Sequence, residues 1–325
     1  MSKLLSFIIP CYRSEKTIDL VVDEIVDVLR EKPSYDYEII CVNDFSPDDV
    51  YQKLKSLSLK NYKIKTINLS KNMGKHAAIM AGYAYAKGDY IVNLDDDFQC
   101  PMNELWRLLD PVEKDECDLS TAKYYGKKRS AWKRFGSNFF YLTSRIVFNK
   151  PVGLRFENFS VMKKFVMNEI INYKNPYPNL EGLVLRVTHN IIQVKMKLRD
   201  RADDNATGFT FFKNISLWLS SLTSFSIKPL RVSIFIGVLF AFLGFAYGLF
   251  IVIKKLIIGP AMPTGFPSIL SSILFSSGII MILLGIIGEY VGRIYISLNA
   301  APQFVVKDTI NIKSEQIEHN DKIKK

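Results

Sequence analysis

The stretch Tyr90-Ile91-Val92-Asn93-Leu94-Asp95-Asp96-Asp97-Phe98-Gln99-Cys100-Pro101 decides the reading of this chain. A mostly apolar run of strand character ends abruptly in three carboxylates, then an aromatic, an amide and a proline. In an open α/β sheet, ligands gather at the carboxyl ends of the strands, so the acids stand where chemistry is expected. Like charges this close repel one another unless a cation joins them. Carboxylate and amide oxygens are hard donors suited to Mg²⁺ or Mn²⁺, usually shared with a substrate's phosphates. Side chains alternate along an extended chain, so Asp95, Asp97 and Gln99 can converge while Asp96 points elsewhere. A polar loop capping the next helix would use the same residue types. The position after a buried strand, and the Gln and Pro that follow, favour the metal site.

Upstream the pattern alternates. Leu4 to Ile9 reads as a short strand stopping at Pro10, and Ile18, Val21, Val22, Ile25 and Leu29 recur at helical spacing. Strands are expected over 37–42, 64–69 and 119–124, with helices over 48–57, 75–86 and from Asn103. This alternation implies α/β architecture, a largely parallel sheet with helices on both faces. Tyr12-Arg13, Asn43-Asp44 and Asp95 to Asp97 then follow three strand ends and would line one crevice. Asn72-Met73-Gly74-Lys75 opens the Ala-rich helix, where backbone N–H groups and the Lys75 ammonium suit an anion. It lacks the spacing of a Walker A loop.

Composition narrows the partners. Against 32 acidic residues stand 43 basic ones, a net charge of +11, which favours nucleic acid, an anionic membrane surface or a phosphorylated substrate. The four cysteines have no metal or disulfide spacing and suit a reducing cytosol, and the three histidines are dispersed. The first apolar segment is too short for a signal peptide. Two stretches place the chain at a membrane: 232–253 carries no charge, and 267–288 is uncharged up to Glu289. Each is long enough at ~1.5 Å per residue to cross a ~30 Å hydrocarbon core. Basic and aromatic residues alternate from Lys123 to Arg145, a mix suited to a lipid-borne phosphate at the membrane surface, and the two spans argue against nucleic acid. Residues 209–227 carry one apolar helical side, expected to lie in the interface before Pro229.

Several segments together resemble a known family. Ile8-Ile9-Pro10-Cys11-Tyr12-Arg13-Ser14-Glu15, Val42-Asn43-Asp44-Phe45-Ser46-Pro47-Asp48, Leu69-Ser70-Lys71-Asn72-Met73-Gly74-Lys75 and Leu94-Asp95-Asp96-Asp97-Phe98-Gln99 stand in the order found in glycosyltransferase family 2. The likeness is to its GT-A-fold members that act on polyprenyl phosphates. The segments 223–231 and 285–295 resemble the two-span members in particular. The resemblance implies that Pro10, Tyr12, Glu15 and Asp44 hold the nucleoside, with Lys75 nearby. Asp95, Asp97 and Gln99 would be the ligands of Mg²⁺ or Mn²⁺ and the diphosphate. Lys123, Lys133, Arg134 and Ser137 would take the acceptor phosphate, Lys123 standing where an arginine is usual. Arg199 and Arg201 would clamp the donor diphosphate. Where the family carries a carboxylate this chain has Asn158, with Glu157 one position earlier, and these are the candidates for a base. The Gln-x-x-Arg-Trp signature of processive synthases is absent, which points to single-sugar transfer.

The expected organisation is a GT-A catalytic domain over 1–208, interfacial helices over 209–230, two transmembrane helices over 231–298 and a polar, disordered cytosolic tail over 299–325. The expected reaction is inverting transfer of one sugar from a nucleotide-diphosphate sugar, a UDP-sugar by family habit, to undecaprenyl phosphate for the cell envelope. The catalytic domain and both termini would lie on the cytosolic side of a bacterial inner membrane, in a homo-oligomer. Transfer to another lipid such as diacylglycerol, or nucleotide-sugar binding without catalysis, stays open at this level.

Overall fold

The computed structural model describes residues 2–125, 145, 150–199, 228–258, 265–299 and 301–312. The chain divides into two compact units, Met1–Phe209 with Ala300–Lys325, and Thr210–Asn299.

In the first unit, the elements in chain order are β1 (Lys3–Cys11), α1 (Ile18–Arg30), β2 (Tyr35–Asn43), α2 (Val50–Lys60), β3 (Ile64–Leu69), α3 (Lys75–Tyr83) and β4 (Tyr90–Asn93). A single 3-10 turn (Met102–Glu104) leads into α4 (Leu105–Glu113), followed by β5 (Leu119–Tyr125), β6 (Ser160–Lys163), α5 (Lys164–Ile171), α6 (Leu180–Val187) and β7 (Ile191–Lys197). The strand β8 (Val306–Ile310) closes the unit. The eight strands form one sheet in the order β7-β5-β6-β4-β1-β2-β3-β8. The pairs β1–β2, β1–β4, β2–β3 and β5–β7 are parallel. The pairs β3–β8, β4–β6 and β5–β6 run antiparallel.

The central strands are buried on both faces, which explains their continuous apolar runs. Leu5, Phe7, Ile9 and Cys11 pack in one core with Ile18, Val22 and Ile25 of α1 and Leu105, Leu108 and Val112 of α4. Ile8 faces the other way against α3, where a Cβ on Gly82 would stand 2.5 Å from Ile8 Cγ2. That close approach is what the Ala- and Gly-rich face of α3 allows. Pro10 does not end β1. Pairing with β4 reaches only Ile8–Asn93, so the missing N–H of Pro10 falls where no ladder bond is needed.

The tail departs from expectation. Its first part was expected to be disordered, yet Val306–Ile310 pairs with β3 from Thr66–Ile310 to Leu69–Val306. Lys307 and Asp308 lend the segment its polar look, but the run Val305-Val306-x-x-Thr309-Ile310 is β-branched and suits a strand. It covers the edge that β3 would otherwise present unpaired. Asn311, in the left-handed region at φ 61°, donates to the carbonyls of Ser58 at 2.6 Å and Ile64 at 2.8 Å. Gln303 is buried and donates to the carbonyls of Tyr173 at 2.6 Å and Asn175 at 2.8 Å. Residues 313–325 lie outside the described residues.

The second unit holds two long helices, α7 (Lys228–Ile258) and α8 (Phe266–Leu298). Both are long and apolar enough to cross a membrane. Lys254 and Lys255 belong to the last turns of α7. Phe240 and Phe275 meet across the pair with ring centroids 5.5 Å apart. Glu289 and Arg293, one turn apart on α8, form an ion pair at 2.7 Å, which offsets the cost of charge in an apolar helix.

Candidate active site

The ends of β1, β2 and β4 carry the polar residues that the sequence singles out, and each end turns through a left-handed residue. Arg13 has φ 59°, Phe45 φ 51° and Phe98 φ 61°, conformations that cost side-chain-bearing residues energy. Such strain persists where surrounding contacts over-determine it, and here the contacts are explicit. Arg13 N–H donates to Ser46 Oγ at 2.7 Å, and Tyr12 N–H donates to the Asp96 carboxylate at 2.9 Å. Tyr12 and Phe45 stand exposed at 43% and 54% as aromatic faces at the strand ends. Pro10 is buried, and Glu15 donates its backbone N–H to Asp48 at 3.0 Å.

Asp44 is buried at the end of β2. Its carboxylate accepts from Met73 N–H at 2.7 Å and Gly74 N–H at 2.9 Å, while its carbonyl accepts from Asn72 Nδ2 at 3.2 Å. Burial raises the Asp44 carboxyl above its ordinary range, and those two N–H donors oppose the rise. Asp44 therefore holds the Asn72–Lys75 loop. Gly74 takes φ 86° there, which lets α3 start with Lys75 aimed across the crevice. Lys75 Nζ pairs with Asp95, whose other oxygen accepts from Asn158 Nδ2 at 2.7 Å.

The three acids have separate surroundings. Asp95 is neutralised by an ammonium and an amide. Asp96 accepts from Tyr12 N–H just after β1; burial pushes its carboxyl up to about 6, with that N–H opposing and the Asp95 and Asp97 charges adding to the rise. Asp97 accepts from Gln99 N–H at 3.2 Å. Gln99 Nε2 donates to the carbonyl of Arg199 at 3.1 Å, and Arg199 N–H donates to the carbonyl of Gln99 at 3.3 Å. This two-way bond anchors the end of the segment after β7 to the acidic turn.

The Arg199 guanidinium, expected on the diphosphate, is engaged by Glu24 of α1 at 2.7 and 2.8 Å, by Asn103 at 3.3 Å and by the Phe98 ring at 5.4 Å. Glu24 carries no motif and had no signal in the sequence. Asn158 is exposed and serves Asp95, while the Glu157 backbone is clamped through both its N–H and C=O by Thr121 Oγ1. Lys123 lies partly buried on β5, in register with Lys195 of β7. Lys133, Arg134, Ser137 and Arg201 lie outside the described residues.

Among the described residues no three carboxylate, imidazole or thiolate groups converge on one point. Asp95, Asp97 and Gln99 would instead offer two carboxylates and one amide oxygen. All three are hard donors on one turn, and the Lys75 ammonium drawn onto Asp95 shows that positive charge is stabilised there. The donor set thus fits Mg²⁺ or Mn²⁺ shared with a ligand's phosphates.

Comparison with known proteins gives the site its family. Residues 6–171 match the model of glycosyl transferase family 2, and residues 228–294 match the GtrB C-terminal hairpin. An uncharacterised glycosyltransferase of Synechocystis is 31% identical over 305 residues, covering 94% of this chain and 95% of that protein. A prophage bactoprenol glucosyl transferase homologue of Escherichia coli is 29% identical, with 93% and 98% covered. The fold is shared with glucosyl-3-phosphoglycerate synthase of Mycobacterium tuberculosis, crystallised with Mn²⁺, UDP-glucose and phosphoglyceric acid, at a TM-score of 0.50 and 16% identity over 68% of this chain and 78% of that one. With a family model over residues 6–171 and a relative 31% identical over nearly the whole chain, the chain belongs to glycosyltransferase family 2.

Proposed function

We propose that the chain transfers one sugar from a nucleotide-diphosphate sugar to a polyprenyl monophosphate, with inversion at the anomeric carbon. The observation that carries this reading is the joining, in one chain, of the acidic strand-end turn to the two-helix hairpin. The relatives aligned over nearly its whole length, one of them named for bactoprenol glucosyl transfer, support the acceptor. The second substrate of such an enzyme dissolves in the bilayer, which the two apolar helices accommodate.

The residues divide the work by charge. Asp97 and Gln99, with Asp95, would hold Mg²⁺ or Mn²⁺, which when bound supplies positive charge to the leaving diphosphate. Lys75 adds a second cation at the same turn. Pro10, Tyr12 and Glu15 border the nucleoside, and Asp44 shapes the pocket through the loop it holds. Arg199 would reach the diphosphate only by leaving Glu24; Arg201 is the second candidate clamp. Lys123, Lys133, Arg134 and Ser137 would receive the acceptor phosphate, and the +11 net charge helps gather two anions that repel each other. A phosphate monoester has its second pKa near about 6, so the attacking oxygen is already anionic in the cytosol. No strong base is required, and an amide at Asn158 is compatible with turnover. Because nucleotide sugars are cytosolic, the catalytic unit and both termini would face the cytosol at a bacterial inner membrane.

The test is direct. Purified protein is incubated with a panel of nucleotide sugars and, separately, undecaprenyl phosphate or diacylglycerol. An acid-labile charged glycolipid formed only with undecaprenyl phosphate is expected. Product on diacylglycerol, or nucleotide binding with no glycolipid in either arm, would overturn the reading.

A further inference from the structure

One row of side chains crosses the crevice end of the sheet through four strands. Cys11 of β1 is in register with Asn43 of β2, Asn43 with Asn68 of β3, and Asn68 with Asp308 of β8. Beyond Cys11 the row is polar, although Val42, Ile67 and Leu69 beside it are fully buried. Asn43 and Asn68 are themselves buried, at 4% and 7% exposure, so their amides must be satisfied within the protein.

They are satisfied in one direction. Asn68 Nδ2 donates to Asp308 at 2.9 Å, Asn43 Nδ2 donates to Asn68 Oδ1 at 2.8 Å, and Ser46 N–H donates to Asn43 Oδ1 at 3.2 Å. Ser46 Oγ accepts from Arg13 N–H at 2.7 Å and donates to Asp48, whose other oxygen accepts from Glu15 N–H at 3.0 Å. The second oxygen of Asp308 takes the hydroxyl of Tyr51, a phenol that burial, aided by this bond, pushes up to about 12. An amide can face either way, but a carboxylate only accepts. Asp308 obliges Asn68 to present its NH₂. Asn68 then offers its carbonyl to Asn43, and Asn43 offers its own carbonyl to the turn after β2. The far end of the row fixes the turns that carry Tyr12, Glu15 and Asp44.

We infer that Asp308, in the strand that follows the two long helices in sequence, is a positioning residue for the donor-nucleotide site. Its carboxylate sets the direction of the amide row and thereby places the turns after β1 and β2. The inference rests on the reading of this crevice as the nucleotide-sugar site. It makes donor binding depend on a segment more than two hundred residues away in the chain, with no contact to the nucleotide.

The experiment uses the full chain in detergent. Donor and undecaprenyl phosphate are varied independently, UDP affinity is measured by calorimetry, and thermal unfolding reports the fold. Asp308→Ala should raise donor KM and UDP Kd roughly three- to tenfold, the range of one or two lost hydrogen bonds. The lipid KM and kcat should stay within about twofold. Lys307→Ala, exposed on the same strand and outside the row, should match the native protein throughout. Asn68→Asp alone sets two carboxylates against each other and should raise donor KM. The double variant Asn68→Asp with Asp308→Asn returns a donor opposite the new carboxylate, which still accepts from Asn43, and should bring donor KM most of the way back. That exchange decides the matter even if Asp308→Ala does not fold. A double variant no better than Asn68→Asp, or a folded Asp308→Ala with native donor KM or an equal rise in lipid KM, would overturn the inference. Native protein that neither binds UDP nor transfers sugar would instead remove the donor-site reading itself, and the inference with it.

Discussion

At the scale of single residues, the proposed reaction gives a carboxylate and an amide of the same crevice separate roles. In the proposed reaction Asp97 would hold the cation that serves the leaving diphosphate, whereas Asn158 donates to Asp95. Asp97→Asn should lower kcat by more than about 100-fold, as losing a major electrostatic stabiliser does, with an unchanged unfolding temperature. Asn158→Ala removes one hydrogen bond of about 1 kcal/mol, so its kcat should fall roughly fivefold. A general base would be worth about 10²–10⁴-fold. Single-turnover rates on both variants separate the cases, and a loss above 100-fold at Asn158 would mean that the acceptor is not already ionised.

At the scale of elements, the C-terminal strand is held by more than its ladder. Asn311→Ala withdraws the amide from the Ser58 and Ile64 carbonyls and places a methyl-bearing residue at positive φ. The expected loss is about 1 kcal/mol, or a fall of about 2–4 °C in Tm for a unit of this size. Thermal unfolding measures it, and Asn311→Gly, which keeps the φ but loses the amide, should recover part of it. This strand also marks where sequence reading stops. The strands through Tyr125 and the helices between them were legible because their apolar runs alternate between two periods and end at charged turns. β8 was not, because two charges interrupt five residues whose pairing partner lies far upstream. The acidic turn was legible because it ends an apolar run; the bond that Asp96 makes to Tyr12 N–H just after β1 was not. Asp44 was found but its use was not: only coordinates show its oxygens committed to Met73 and Gly74. Glu24 on Arg199 and the Asn43–Asn68–Asp308 row are side-chain encounters between distant elements, which no local pattern encodes.

At the scale of the whole molecule, the proposed reaction requires a particular sidedness. In the proposed topology of two spans, the catalytic unit and the C-terminal strand would face one side of the membrane and the connection between the spans the other. The four native cysteines are buried, so an introduced thiol reports alone. A cysteine at Thr264 should react with a membrane-impermeant maleimide in intact cells, and one at Ser2 should react only after the membrane is opened. The reverse pattern would put the crevice on the wrong side for cytosolic nucleotide sugars. The proposed dependence on a cation belongs to this scale too, since the cation would join the acidic turn to the donor diphosphate. The most direct measurement is the product itself: the linkage and anomeric configuration of the glycolipid made from an α-linked donor, with Mg²⁺ or Mn²⁺ present, after EDTA, and with Asp97→Asn. A β-linked sugar on the lipid phosphate, lost on chelation and in the variant, is predicted; an α-linked product, or one formed equally without the cation, would contradict the account.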